Sequence, residues 1–193
     1  MADSTSHTVV AVALRVRDGA LEARLARAER RRGEALEDAL ARAVDVGALA
    51  HVEQLETRLL RDGTLATTYL GLARSDVSGT PPKGAEEKAL VAAAQARLRA
   101  KLSYTNGGFA LAPEVFTISE LRELYVAALG HDVSPTNLQR VLLRRGVLER
   151  VEGTRAPGRT GGRPAALFRF AANRLEVTDE FAALRPPGSR ASG

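Results

Sequence analysis

The stretch from Phe116 to Phe170 constrains the chain most, because its local signals come in one order: helix, tight turn, basic helix, basic hairpin. Thr117 to Glu120 reads Thr-Ile-Ser-Glu, a capping-box pattern in which the Thr117 hydroxyl accepts from the Glu120 amide while the Glu120 carboxylate reaches back. Leu121, Leu124, Tyr125 and Ala128 then recur at helical spacing and form one apolar face. Gly130 stands where such a helix stops. Ser134 and Pro135 restart the chain as N-cap and first helical residue. Leu138, Val141 and Leu142 give the second helix a face to bury, and Gly146 ends it. Val147 to Val151 and Ala165 to Phe170 read as paired strands, with Phe168 and Phe170 alternating against Leu167 and Arg169. This is the plan of a winged helix-turn-helix.

The second helix is the candidate reader of a duplex. Asn137, Arg140 and Arg144 are three and four apart and share a face, with Thr136 and Gln139 beside it. Arg suits guanine edges and phosphates, Asn and Gln suit adenine, and Thr can contact a thymine methyl. Arg145 falls nearer the apolar side and is expected to cap the last carbonyls of its own helix. A merely solvated polar face is the alternative.

The hairpin bears on that choice. Between its strands lies a Gly-rich segment, Gly153 to Pro164, from which Arg155, Arg159 and Arg163 project. Such a segment can follow a phosphate backbone or enter a minor groove. Residues 137–170 hold eight Arg and no Lys against Glu149 and Glu152, a net of +6, while the whole chain is +5, so the remainder sums to about −1. Positive charge is concentrated on the proposed surface, which is the footprint of a nucleic-acid binder.

Other classes are disfavoured by composition. The chain has no Cys, which excludes disulfides and thiolate metal sites. His7, His51 and His131 are scattered at no recognisable zinc spacing, so a structural role is expected for each and no metal is expected. No apolar run approaches the length of a membrane span. Met1 to His7 lacks the basic and apolar regions of a signal peptide, and a soluble, cytoplasmic protein is the expectation.

The first half reads as a small α+β unit. Thr8 to Val16 is a nearly continuous Val-rich run, a buried strand. Arg17 to Gly19 is a turn, and Leu21, Ala23 and Leu25 alternate along a second strand. Leu36, Leu40 and Val44 set a helix over Glu34 to Val46, closed by Gly47. Val52 to Leu60 and Leu65 to Ala73 are two more strands. Tyr69 is the unit's only aromatic residue, so its core is built from small side chains. Support from a second subunit is therefore expected, with Thr8–Val16 and Leu65–Ala73 as the main interface; the alternative is that both strands are central in one sheet. The expected division is residues 8–74 for this unit and 75–85 for a linker. Residues 86–184 then form a helix with Leu90, Ala94, Leu98 and Leu102 four apart, the winged helix and a short helix from Glu176 to Leu184. Residues 185–193 are a disordered tail.

The words Phe116 to Tyr125, Asn137 to Arg140 and Gly162 to Phe170 make the segment from Leu90 to Phe170 similar to the C-terminal half of Nudix-related transcriptional regulators, the NrtR family. Gly-Arg-Pro-Ala followed by an apolar, aromatic, Arg, Phe strand is the most specific of them. His51 to Leu55 and Thr67 to Ala73 sit where that family has strands after its Nudix helix, so the first half resembles a shortened, degenerate Nudix domain. Nudix hydrolases hold Mg²⁺ on a pyrophosphate through carboxylates clustered on that helix. Here Arg42 is followed by Ala43, and Val46 and Gly47 stand where paired Glu would be; Glu34, Glu37, Asp38 and Asp45 remain without the cluster spacing. Hydrolysis is expected to be absent, with no catalytic residue to name. The resemblance implies a dimeric repressor of a palindromic operator. Its Nudix-like domain would sense a nucleotide metabolite such as ADP-ribose, an effector that rests on the resemblance alone. A protein–protein adaptor that uses the winged helix as its surface is the alternative, and a Nudix hydrolase the third reading.

Overall fold

The computed structural model describes residues 6–156 and 164–179. The first half is a four-stranded sheet in the order β2-β1-β4-β3, built from β1 (His7–Arg17), β2 (Ala20–Glu29), β3 (His51–Leu59) and β4 (Leu65–Leu72). β1 pairs antiparallel with β2 through a turn in which Asp18 and Gly19 both take positive φ, as a two-residue hairpin requires. β1 pairs parallel with β4, and β4 antiparallel with β3.

The Val run of β1 is apolar on both sides because both sides are covered. Val9 and Ala11 pack with Tyr69 under α1 (Leu36–Ala43), against Ala39, Leu40 and Val44. Val10, Val12 and Leu14 face the other way, toward α2 (Gly84–Tyr104), whose Leu90, Ala94, Leu98 and Leu102 are all buried. β1 and β4 are thus the two central strands, and the expectation that they form a dimer interface is corrected: their faces are already occupied within one chain.

Several element boundaries differ from expectation by a few residues, and the strand expected to end at Val151 runs on to Arg155. α1 ends at Ala43 rather than running to Val46. The Asp45 side chain accepts from the Gly47 amide at 3.0 Å and nucleates a 3₁₀ turn over Val46–Ala48, the local competition with helix that short polar side chains offer. α2 begins at Gly84 rather than Glu86. The segment before α2 is anchored: Thr80 exchanges backbone hydrogen bonds of 2.8 and 2.9 Å with Leu25, and Asp76 pairs with the buried Arg15, which also holds Glu22 at 2.7 Å.

α2 carries the link to the second half. Lys101 is buried because its Nζ meets Glu53 on β3 at 2.8 Å. Burial alone would raise the Glu53 carboxyl, but Lys101 holds it below its ordinary value. After a 3₁₀ turn at Gly107–Ala110 come α3 (Ile118–Leu129), α4 (Pro135–Arg144), β5 (Leu148–Arg155) and β6 (Ala165–Phe170). One apolar cluster joins residues of both halves, from Val12 and Leu70 through Leu98 and Phe109 to Leu121, Leu142 and Phe168. The expected helix from Glu176 is corrected within the described residues. Val177 instead bridges Thr105, and Thr178 donates its amide to the Tyr104 carbonyl at 2.8 Å, so the chain runs extended past the end of α2. Residues 180–184 of that helix, and the tail at 185–193, lie outside the described residues.

Candidate nucleic-acid interface

The two helices are set by the caps their sequence carries. Thr117 accepts from the Glu120 amide, and the Glu120 carboxylate accepts from the Thr117 amide at 2.7 Å, so the capping box closes. Gly130 ends α3 in the left-handed region at φ 77°. Ser134 caps α4 by accepting from the Asn137 amide, with Pro135 in its first turn. Arg122 on α3 fastens the intervening turn: its Nε donates to the Val133 carbonyl at 2.8 Å, and its guanidinium pairs with Asp132. Leu121, Leu124, Tyr125 and Ala128 of α3 and Leu138 and Leu142 of α4 fill the space between; Val141 is only half-buried.

That packing turns Thr136, Asn137, Arg140 and Arg144 to solvent on one face, with Gln139 half-buried at its edge. Arg140 donates to the Asn137 Oδ1 at 2.8 Å, which leaves the Asn137 amide nitrogen facing outward as a donor. Leu143, also exposed, lies along the same strip and was not expected there. An exposed apolar side chain beside Arg suits a thymine methyl. Its signal in the sequence was spacing: Leu143 stands three residues after Arg140 and beside Arg144, on their side of the helix.

Arg145 does not cap its own helix. The closing carbonyls of α4 are already met by backbone amides, Val141 by Arg145, Leu143 by Gly146 and Leu142 by Val147, at 3.0, 3.0 and 2.9 Å. The guanidinium turns instead to Ser103, Thr105 and Thr178.

On the wing, β5 and β6 pair antiparallel, and their exposed face carries an ion pair between directly opposed Glu149 and Arg169 at 2.8 Å. Phe168 bonds through its backbone to Phe116, which docks the wing on the segment before α3. Arg155 pairs with Glu120, the same carboxylate that closes the capping box. A phosphate bound by Arg155 would replace that partner. Arg159 and Arg163 lie outside the described residues.

In the first half, two of the four acidic residues around α1, Glu34 and Asp45, are engaged locally. Glu34 accepts from Arg42 at 2.8 and 2.9 Å and from the Arg31 amide at 2.7 Å. The Arg42 hydrogen bond, then the one from Arg31, lower its carboxyl to about 2 from 4.5. A depressed folded-state value means the Arg42 pairing is intact above 4.5 and lost as pH falls through about 2. A carboxyl-carbon NMR titration is expected to place the Glu34 midpoint there, and Arg42→Ala to return it toward the ordinary value. Asp45 is spent on its 3₁₀ turn, and among the described residues no three His, Asp or Glu side chains gather as metal ligands would. Two cavities of about 270 and 420 Å³ flank Arg74, whose Nε donates to the Phe109 carbonyl at 3.0 Å. They lie between the turn Gly47–Ala50 on one side and Glu114, Arg169 and Asn173 on the other. Among the described residues no helix is long and apolar enough to cross a membrane.

Comparison with known proteins places this architecture. Residues 108–170 match the family model of the NrtR DNA-binding winged helix domain. The ADPR responsive transcriptional repressor NtrR of Acinetobacter baylyi is 37% identical over 82 residues, 42% of this chain and 32% of that protein. The chain thus matches about a third of the length of that curated relative. The crystal structure of Shewanella oneidensis NrtR complexed with a 27mer DNA superposes with TM-score 0.66 at 23% identity, over 84% of this chain and 92% of that one. A MutT/nudix family protein from Enterococcus faecalis gives TM-score 0.64 at 15% identity, over 89% and 90%. Residues 108–170 therefore match the NrtR DNA-binding winged helix domain, in a chain that shares the fold of the Shewanella NrtR and Enterococcus MutT/nudix structures.

Proposed function

We propose that this protein is a DNA-binding transcriptional regulator, acting as a repressor, whose α4 reads a duplex while the wing follows the backbone. The observation that carries the reading is the outward face of Thr136, Asn137, Arg140 and Arg144, set by capped helices within the chain's concentrated positive charge. The likeness to the Acinetobacter repressor and to the NrtR fold supports it. A homodimer on a palindromic operator belongs to the proposal, because one reading helix covers too few base pairs for useful genomic specificity. With β1 and β4 enclosed, the pairing surface falls to the sheet edges or the second half. The Nudix-like domain is proposed to be without hydrolase activity and to serve in dimerisation or in sensing an effector of the ADP-ribose type, the latter on the name of that relative.

Selection of bound sequences from random duplexes tests the core of this. A palindrome is the expected result, together with a sedimentation mass of two chains. Absence of duplex binding at low salt would remove the reading and favour the adaptor. Incubation with ADP-ribose and Mg²⁺ is expected to yield no product. Turnover that Glu34→Gln abolishes would mean the carboxylates still work.

A further inference from the structure

Three arginines tie the three helices of the second half into a closed ring. Arg99 on α2 donates to the Ala128 carbonyl near the end of α3 at 3.4 Å. Arg122 on α3 donates to Val133 at the entry to α4 at 2.8 Å. Arg145, just past α4, returns to the end of α2: Nη1 reaches the Ser103 carbonyl at 3.3 Å and Nη2 the Thr105 carbonyl at 3.1 Å, while Nε reaches the Thr178 hydroxyl at 3.0 Å. The last link differs from an ordinary helix cap. α2 satisfies the carbonyls of Ala100 and Lys101 with its own Ser103 and Thr105 groups, and Tyr104 with the Thr178 amide. Arg145 is what meets the Ser103 and Thr105 carbonyls. Its planar fork is pre-organised to hold several acceptors at fixed angles, which a lysine ammonium is not. α2 in turn is seated on the sheet by Leu90, Ala94 and Leu98 and by the Lys101–Glu53 pair.

We propose that Arg145 is a positioning residue of the reading helix: without touching DNA, it fixes α4 on α2 and so sets how Asn137, Arg140 and Arg144 enter the groove. This rests on the duplex-binding reading above. Arg145 is half-buried and directed at α2, away from the face those three side chains share.

The test compares the full chain with Arg145→Ala and Arg145→Lys, on the selected duplex and on a random one, across salt concentrations. Both variants are expected to weaken the selected duplex by about tenfold or more while leaving the random duplex nearly unchanged, because alignment matters for base contacts and little for backbone attraction. The salt dependence on the random duplex is expected to keep its slope. A slope shallower by about 0.9 would identify Arg145 as a phosphate contact and overturn the proposal. Equal loss on both duplexes, or none on either, would also overturn it. Arg145→Lys keeps the charge and covers the case in which the alanine variant fails to fold. Amide hydrogen exchange gives a readout without DNA. Faster exchange across α4 in Arg145→Lys, with β1 and β4 unchanged, is expected. Unchanged α4 protection would sink the clamp even if the wild-type chain binds DNA, whereas a wild type that binds no duplex would sink the functional reading.

Discussion

Arg140→Ala is expected to weaken the preferred duplex by about 1–3 kcal/mol and to flatten base preference at one position of each half-site. The loss has a second component, because Arg140 holds the Asn137 Oδ1 and fixes which way that amide faces. Asn137→Ala and Arg140→Ala are therefore expected to be non-additive, the double variant losing less than the sum of the singles. Adding Arg144→Ala is expected to lower the log–log salt slope by about 0.9 if it meets one phosphate. Titration of a labelled operator duplex across ionic strength separates these parts. Equal losses on every sequence from Arg140→Ala would demote it from base reader to backbone contact.

Phe116→Ala is expected to have the largest effect on stability, about 3–5 kcal/mol. Phe116 is fully buried, and its ring meets Phe170 at 5.3 Å and a tilt of 55°. Its backbone amide and carbonyl both pair with Phe168, at 2.9 and 2.8 Å. Removing the ring leaves a cavity at the joint where the wing docks. Because the surrounding cluster extends into the sheet, the loss is expected in one shared transition: a lower urea midpoint with an unchanged m-value. Hydrogen exchange that weakened only in β5 and β6 would contradict that shared core.

What the sequence made legible was local. The capping box at Thr117, Pro135 behind Ser134 and the stop at Gly130 each act within a few residues, and all three landed where the pattern placed them. The apolar faces of α2, α3 and α4 followed from spacing. The solvent face of α4 did as well, since burying Leu138 and Leu142 leaves Asn137, Arg140 and Arg144 little choice. Apart from element ends such as that of α1, set by Asp45 and Gly47, the differences lie in contacts between distant residues. Nothing near Arg145 announces that its acceptors are Ser103 and Thr105. Nothing near Arg155 announces Glu120, although a capping-box carboxylate with an oxygen to spare is a ready partner. An apolar strand run reports that both faces are covered, but not whether a helix of the same chain or a second subunit covers them. The runs of β1 and β4 therefore fit a subunit interface and the centre of one sheet equally well.

The parallel pairing of β1 with β4 also bears on how the chain is made. β1 leaves the ribosome before β4 and gains β2 at once through a tight turn, but its other edge waits for Leu65–Leu72. In that interval a run of Val, Ala and Leu presents unpaired amides and carbonyls, a template for adding any extended strand that arrives first. Nascent chains arrested between β3 and β4 are the ones expected to depend on a holding chaperone. Release of that dependence should coincide with the emergence of Leu72, well before α4 exists.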